Sequence, residues 1–334
     1  MEIHHNTRLT SAEISQIWGS YQNDTLTVCV LRYFLAHVED DDIRRLLQYN
    51  LEVAESHVHK LTTMCKNENF PVPVGFTEDD VHVDAPRLFS DTFMLFYAQQ
   101  IGKLGMNAHS VSTALSARPD IHAYFFECLK EYGDLHEKAN HLLLSKGLYV
   151  RPPYIPYPEQ VDFVSNRDFL TGWFGDRRPL TSLEITNLYD NIQRNSLGVA
   201  VLMGFSQVAR SKKVTQYMRR GKKIAAKHVE VFGSILTEDD IPSAVTWDSE
   251  VTRSTTAPFS DKLMMFHVTA LIAIGIGYYG TSMSTSMRRD IPLKYTRLTA
   301  EIAKYSEDGA KLMIDNGWLE NPPQSPDRDK LAKE

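Results

Sequence analysis

The sequence predicts an all-α protein of two tandem four-helix bundles that arose by internal duplication. Three observations carry that prediction. The chain of 334 residues says the same thing twice: Leu9-Thr10-Ser11-Ala12-Glu13-Ile14 returns as Leu180-Thr181-Ser182-Leu183-Glu184-Ile185. The offset of about 171 positions marks a duplicated domain and not a short solenoid repeat. Ala54, His57 and Val58 return as Ala225, His228 and Val229, and Arg118, Asp120 and Ile121 as Arg288, Asp290 and Ile291. Each half then reads as four long segments with apolar residues on a helical period. Finally, the joins between those segments alternate between tight and long in the same order in both halves.

The first helix runs from Ser11 to Val38, with Ile14, Ile17, Tyr21, Val28, Leu31 and Leu35 on its period. Thr10 or Ser11 followed by Glu13 supplies its N-terminal cap. The second helix spans about Asp41 to Cys65 and aligns Leu46, Val53, His57, Leu61 and Met64. The third spans about Ser90 to Leu115. The fourth starts after Pro119-Asp120 and continues to Lys146, where Gly147 supplies a C-terminal cap, as Asn316-Gly317 does in the second half. Helices of about 26 residues are roughly 39 Å long, the length of bundle helices. Helices one and two join tightly at Glu39-Asp40, and three and four at Ala117-Arg118. Between helices two and three lies Lys66 to Leu88, with Pro71, Pro73, Gly75 and Pro86; Leu236 to Phe259 takes its place in the second half. Short joins require antiparallel neighbours, while one long crossover lets helices two and three run parallel. That is the ferritin-like version of the four-helix bundle.

The expected domains are therefore a first bundle over 1–150, a Pro-rich and aromatic linker over 151–179, a second bundle over 180–321 and a polar, frayed tail over 322–334. Arg151-Pro152-Pro153-Tyr154-Ile155-Pro156-Tyr157-Pro158 cannot be helical, because its prolines lack donors and fix φ. It reads as a stiff spacer packed on the bundle rather than a ligand for an aromatic groove. Phe169, Trp173 and Phe174 are aromatic enough to pack between the bundles.

Composition limits the function. With 43% hydrophobic and 23% charged residues the chain is globular. Met1 to Thr10 contains no apolar signal region. Cys29, Cys65 and Cys128 are odd in number and form no Cys-x-x-Cys, so they read as buried free thiols of a cytoplasmic protein. The net charge of −6 hides a contrast: residues 1–165 sum to about −9 and the rest to about +3. The basic stretch Lys212-Lys213, Arg219-Arg220, Lys222-Lys223 and Lys227 lies on one helix of the second repeat, a candidate docking face for a protein partner or for self-association. It lacks the interleaved aromatics that nucleic-acid binding requires, so nucleic acid is not an expected partner.

Several motifs fail their structural context. Gly275-Ile276-Gly277-Tyr278-Tyr279-Gly280 matches a dinucleotide fingerprint but lies inside a helix, where its glycines read as points of close helix approach. Leu263 to Met283 has the length of a membrane span, yet its counterpart Phe93 to Thr113 holds Gln99, Gln100, Lys103 and His109. A buried bundle helix is expected, with no membrane insertion. Thr77-Glu78-Asp79-Asp80, repeated as Thr237-Glu238-Asp239-Asp240, lacks the ligand spacing of a calcium loop. Asp134, His136, Glu137 and His141, like Glu52, Glu55 and His59, read as solvated helix faces. No nucleophile elbow or activated cysteine is present, so no catalytic residues are assigned and a non-enzymatic protein is favoured.

The remaining chemistry lies in the bundle interiors. His57 and His228 sit midway along the second helix of each repeat, and Glu131 and Glu301 midway along the fourth. A His–Glu pair across each core is expected, either as a hydrogen-bonded register pin or as a metal site for divalent iron, manganese or zinc. No predicted helix holds the Glu-x-x-His of di-metal bundles. Asp24 is matched by Asn195 and Glu127 by Arg297, which removes further carboxylates from the second repeat.

Tyr157-Pro158-Glu159, Phe174-Gly175-Asp176-Arg177-Arg178-Pro179-Leu180, Gly204-Phe205-Ser206-Gln207-Val208-Ala209 and Pro258-Phe259-Ser260-Asp261-Lys262-Leu263 carry a resemblance. The chain resembles a family of domains of unknown function from spore-forming Firmicutes. Its members hold two tandem ferritin-like bundles, and some carry a provisional spore-coat label. The resemblance implies an all-helical duplicated fold and a link to sporulation; it supplies no catalytic residues and no cofactor. The expected function is a non-enzymatic structural or interaction protein, with a metal-binding or redox bundle built on His57, Glu131, His228 and Glu301 as the alternative.

Overall fold

A computed structural model describes residues 7–173, 177–243 and 250–333. The chain is all-helical. Four long helices, α1 (Ser11–His37), α2 (Asp41–Asn67), α3 (Asp91–Leu115) and α4 (Pro119–Ser145), make the first bundle. Helices α5 (Ser182–Val208), α6 (Lys212–Thr237), α7 (Asp261–Thr285) and α8 (Asp290–Asp315) make the second, and a short α9 (Arg328–Leu331) follows in the tail. The described residues hold no strand. In the crossovers, Phe89 and Val251 form an isolated antiparallel bridge, with Ser90 N–H donating to the Glu250 carbonyl at 3.0 Å and Thr252 N–H to that of Leu88 at 2.9 Å.

The repeated Leu-Thr-Ser-x-Glu-Ile motif has a structural cause. Thr10 and Thr181 cap α1 and α5 in full capping boxes with Glu13 and Glu184. Each glutamate then reaches further. Glu13 accepts from the backbone N–H groups of Thr10 (2.7 Å), Ala117 (3.1 Å) and Arg118 (2.8 Å). Glu184 accepts from those of Thr181 (2.9 Å), Met287 (3.1 Å) and Arg288 (3.0 Å). One carboxylate thus caps the first helix of a bundle and fastens the turn between its third and fourth. Glu184 is fully buried and also takes a bidentate pair from Arg178 at 2.8 and 2.9 Å.

These bonds fix the helix directions. The start of α1 meets the end of α3 and the start of α4, so α1 runs with α4, and α2 runs with α3 across the long crossover. Gly147 and Gly317, each at φ +67°, end α4 and α8 in the left-handed conformation that glycine tolerates best.

The chain divides into two compact units: Met1–Val83 with Ala98–Leu142 and Gly317–Glu334, and Asp84–Tyr97 with Leu143–Asn316. In the first, Ile17, Tyr21, Leu61, Ile121, Phe125 and Cys128 are among the buried residues of the core. In the second, Ile185, Leu188, Ile192, Phe232, Tyr295 and Leu298 build a separate core. Helix α7 is long and apolar enough to cross a membrane; Leu263, Met264, Met265, Val268 and Tyr279 are buried, but only 33% of its apolar stretch is, so it is less buried than expected.

Three expectations change. Gly277 and Gly280 have nothing within 4 Å of a built Cβ, and Gly275 meets only Arg194, so the Gly-x-Gly-x-x-Gly run is not a point of close approach. The close approaches lie elsewhere: Cβ atoms on Gly221 and Gly309 would fall 2.1 and 2.3 Å from the hydroxyls of Tyr305 and Tyr217, a stacked pair whose rings are 4.2 Å apart. The Pro-rich linker is not packed over its length: Tyr154 and Tyr157 are 86% and 96% exposed. Trp173 is also exposed, while Phe174 lies outside the described residues. The tail is not wholly frayed, since it forms α9.

Candidate metal centre

Both expected His–Glu pairs form. His57 Nε2 lies 2.6 Å from Glu131 Oε2, and His228 Nε2 lies 3.1 Å from Glu301 Oε2. Both imidazoles are fully buried. The side chains around them make two different environments.

In the first bundle all four helices contribute. Asp24 of α1 places Oδ1 3.6 Å from His57 Nδ1. Tyr132 of α4 donates to the same Oδ1 at 3.2 Å. Cys128, one turn before Tyr132 on the inner face of α4, is fully buried. His109 of α3 stacks on Tyr132 with ring centroids 5.1 Å apart and meets His57 edge-on at 6.1 Å. Ligand atoms of His57, Cys128 and Glu131 all lie within 4.8 Å of one another. Among the described residues this is the one such group of His, Cys, Asp and Glu donors. Around it, Asp24 Oδ2, His57 Nδ1, His109 Nδ1 and Tyr124 Oη are buried without a hydrogen-bond partner. Buried polar atoms are normally satisfied, so this concentration needs a physical reason.

The electrostatics agree with the geometry. Burial opposes charge on His57, but Asp24, Cys128 and Glu131 outweigh it and push the imidazole up to about 12. The three neighbours thus favour positive charge at the His57 position. Burial works to raise the Glu131 carboxyl, yet His57 outweighs it and holds that carboxyl below its ordinary value. Burial pushes His109 down to about 4, leaving it neutral, and pushes the Cys128 thiol up.

In the second bundle both ring nitrogens of His228 are engaged, while Asn191 Oδ1 and Ser196 Oγ of α5 are buried without a hydrogen-bond partner. His228 Nδ1 lies 2.9 Å from the Tyr279 hydroxyl, which also accepts from Asn195 at 2.8 Å. Lys227 holds both oxygens of Glu301 at 2.8 Å. Burial lowers His228 below its ordinary value. Position by position, Asp24 has become Asn195, His109 Tyr279, Cys128 Leu298 and Tyr132 Ile302. This internal comparison of the repeats is the signal that picks out Cys128, His109 and Tyr132. Glu52, Glu55, His59, Asp134, Glu137 and His141 are exposed on helix faces, whereas His136, expected with them, is half-buried with Nδ1 3.2 Å from the Asn140 amide.

The donor set does not fit two bridged ions, because only Asp24 and Glu131 bring carboxylates to this core. It does fit one. Imidazole, thiolate and carboxylate are the ligands of tetrahedral zinc and of related first-row ions, and an ion at their centre would take the place of the His57–Glu131 hydrogen bond.

The model of the family described as a protein of unknown function, DUF3231, matches residues 1–161 and again residues 168–331. No curated protein matches the sequence. Among solved structures, the chain is similar to a Bacillus halodurans C-125 protein provisionally assigned as a spore coat protein. That similarity has 14% identity and a TM-score of 0.42, and covers 45% of this chain and 98% of the other.

Proposed function

We propose that this chain, which belongs to the DUF3231 family of unknown function, is a tandem ferritin-like protein whose first bundle binds a single divalent transition-metal ion. His57, Cys128 and Glu131 would hold the ion, with Asp24 as the fourth donor. The observation that carries the reading is the buried, unpartnered pair of His57 Nδ1 and Asp24 Oδ2 beside three ligand atoms within 4.8 Å. A bound ion supplies Lewis-acid chemistry when substrate can reach it and cross-linking of α1, α2 and α4 when it cannot. The half-buried Glu131, with 24% of its side chain exposed, connects the site to solvent.

A second reading, a non-enzymatic structural or interaction protein, is favoured by the second bundle. Its core links Asn195, Tyr279 and His228 by hydrogen bonds, which serve packing and helix register. The two readings divide between the bundles: one half binds and the other holds shape.

Elemental analysis of the purified full chain, and titration with zinc, iron(II) and manganese(II), tests the proposal. One ion per chain, lost in His57→Ala and Cys128→Ser and kept in His228→Ala, is the expected result. A chain that binds none of the three ions, or variants that bind as wild type does, would overturn it.

A further inference from the structure

The equivalent outer faces of the two bundles carry opposite charge. On α2, Asp41, Asp42 and Glu52 occupy the positions that Lys212, Lys213 and Lys223 hold on α6. On α4, Glu127 and Asp134 occupy the positions that Arg297 and Lys304 hold on α8. Every one of these residues is exposed. Within each bundle the two helices concerned are neighbours. Lys60 of α2 donates to Glu127 of α4 at 3.1 Å, and Arg220 of α6 to Asp308 of α8 at 2.6 Å. The inversion therefore spans two neighbouring helices, although Arg44 and Arg45 of α2 are exposed bases among its acids. One exchange runs the other way, at Lys138 and Asp308, and both are engaged inside their own bundles: Lys138 lies 4.8 Å above the Tyr49 ring, and Asp308 accepts from Arg220.

Both faces descend from one ancestral patch, so they share helix spacing and the pattern of ridges. Two copies of that patch bearing the same charges would repel. Inverting one of them turns the repulsion into complementarity. A polyanionic partner would account for the basic α6–α8 face alone; pairing of the two faces accounts for both. Asp42 and Glu127 also pair within their own bundle, with Arg45 and Lys60, yet all ten charges stay exposed to a partner.

We propose that the chain associates with a second copy of itself, the α2–α4 face of one copy docking on the α6–α8 face of the other. Such a contact is heterologous. It closes into a two-fold pair when both contacts form between the same two molecules, and extends into a chain when they do not.

Light scattering coupled to gel filtration, or sedimentation, on the full chain at about 100 µM tests this, at low and at high salt. Wild type is expected to associate at low salt, with an apparent Kd at least about tenfold weaker in 1 M salt, where screening acts within roughly 3 Å. The triple variant Lys212→Glu, Lys213→Glu, Lys223→Glu has two acidic faces and is expected to be monomeric. The triple variant Glu52→Lys, Glu127→Lys, Asp134→Lys has two basic faces and is also expected to be monomeric. Mixed in equal amounts, the two are expected to associate with each other. Recovery in the mixture separates a lost interface from a lost fold, and circular dichroism of each variant checks helix content. A monomeric wild type at low salt, an association that both variants retain, or a mixture of folded variants that stays monomeric would each overturn the proposal.

Discussion

His57 Nδ1 lies 3.6 Å from Asp24 Oδ1, yet His57 Nδ1 and Asp24 Oδ2 complete no hydrogen bond among the described residues. The second repeat resolves the same juxtaposition by placing Asn195 opposite its histidine side and a tyrosine hydroxyl on His228 Nδ1. Asp24→Asn copies that solution into the first bundle. It is expected to weaken zinc binding by at least about 10–100-fold, the range for loss of a mere supporting partner, because Asp24 is itself a donor. Competition with a chromophoric chelator measures the change. Unaltered affinity would leave Asp24 outside the site.

Two glycines in equivalent helices are expected to respond in opposite directions. A Cβ on Gly105 would fall 2.3 Å from the Tyr132 ring, so Gly105→Ala must displace the residue that donates to Asp24. Overpacking of this kind costs about 1–3 kcal/mol, and the same variant is expected to bind metal more weakly. Gly277 has open space around its Cβ position. Gly277→Ala is expected to stabilise α7 by about 0.5–1 kcal/mol through helix propensity alone. Urea unfolding of the two variants provides the comparison.

Acid is expected to act through Glu184. Burial works to raise its carboxyl, but Arg178 and the backbone amides of Thr181 and Arg288 outweigh it and hold it at about 2. A folded-state value below the ordinary 4.5 means that the stabilisation is complete above about pH 4.5 and is lost as pH falls towards 2. Its full size is about 3 kcal/mol. Glu184→Gln is expected to lower stability at pH 7 and to flatten the profile between pH 4.5 and 2. Equal acid sensitivity in the variant and wild type would assign the acid transition to other groups.

Thiol reactivity reads the core independently. Cys29, Cys65 and Cys128 are all buried and in no disulfide, and burial raises the thiols of Cys65 and Cys128. A disulfide reagent at pH 8 is expected to label none of the three rapidly in the native chain and all of them in denaturant. Bound zinc is expected to slow the labelling of Cys128 further. Peptide mapping of the modified site distinguishes that effect from general stabilisation.

Much of this architecture is legible in the sequence because its signals are local. Helical periodicity, the Thr10 and Thr181 capping boxes and the terminal Gly147 and Gly317 set the ends of the long helices within a few residues. The matched midpoints of His57 with Glu131 and His228 with Glu301 bring the core pairs to notice for the same reason. What escapes is what depends on neighbours from distant sequence. Cys128 looks like an ordinary buried thiol until α2 places His57 beside it. Asp24 reads as a lone acid lost from the second repeat, although its loss is the clue. The glycines of α7 point into open space because close approach is decided by the facing side chain, as at Gly105 and Tyr132 or Gly221 and Tyr305. The linker tyrosines are exposed because spacing alone cannot say whether a proline-rich segment finds a surface to lie on.

The reach of Glu13 and Glu184 has a kinetic consequence. The bonds from Arg118 to Glu13 and from Arg288 to Glu184 join residues separated by 105 and 104 positions. Contacts of such range weigh heavily on contact order and slow the search for the native topology relative to a bundle held by hairpins alone. A nascent chain cannot secure either half until the start of its last helix has left the ribosome.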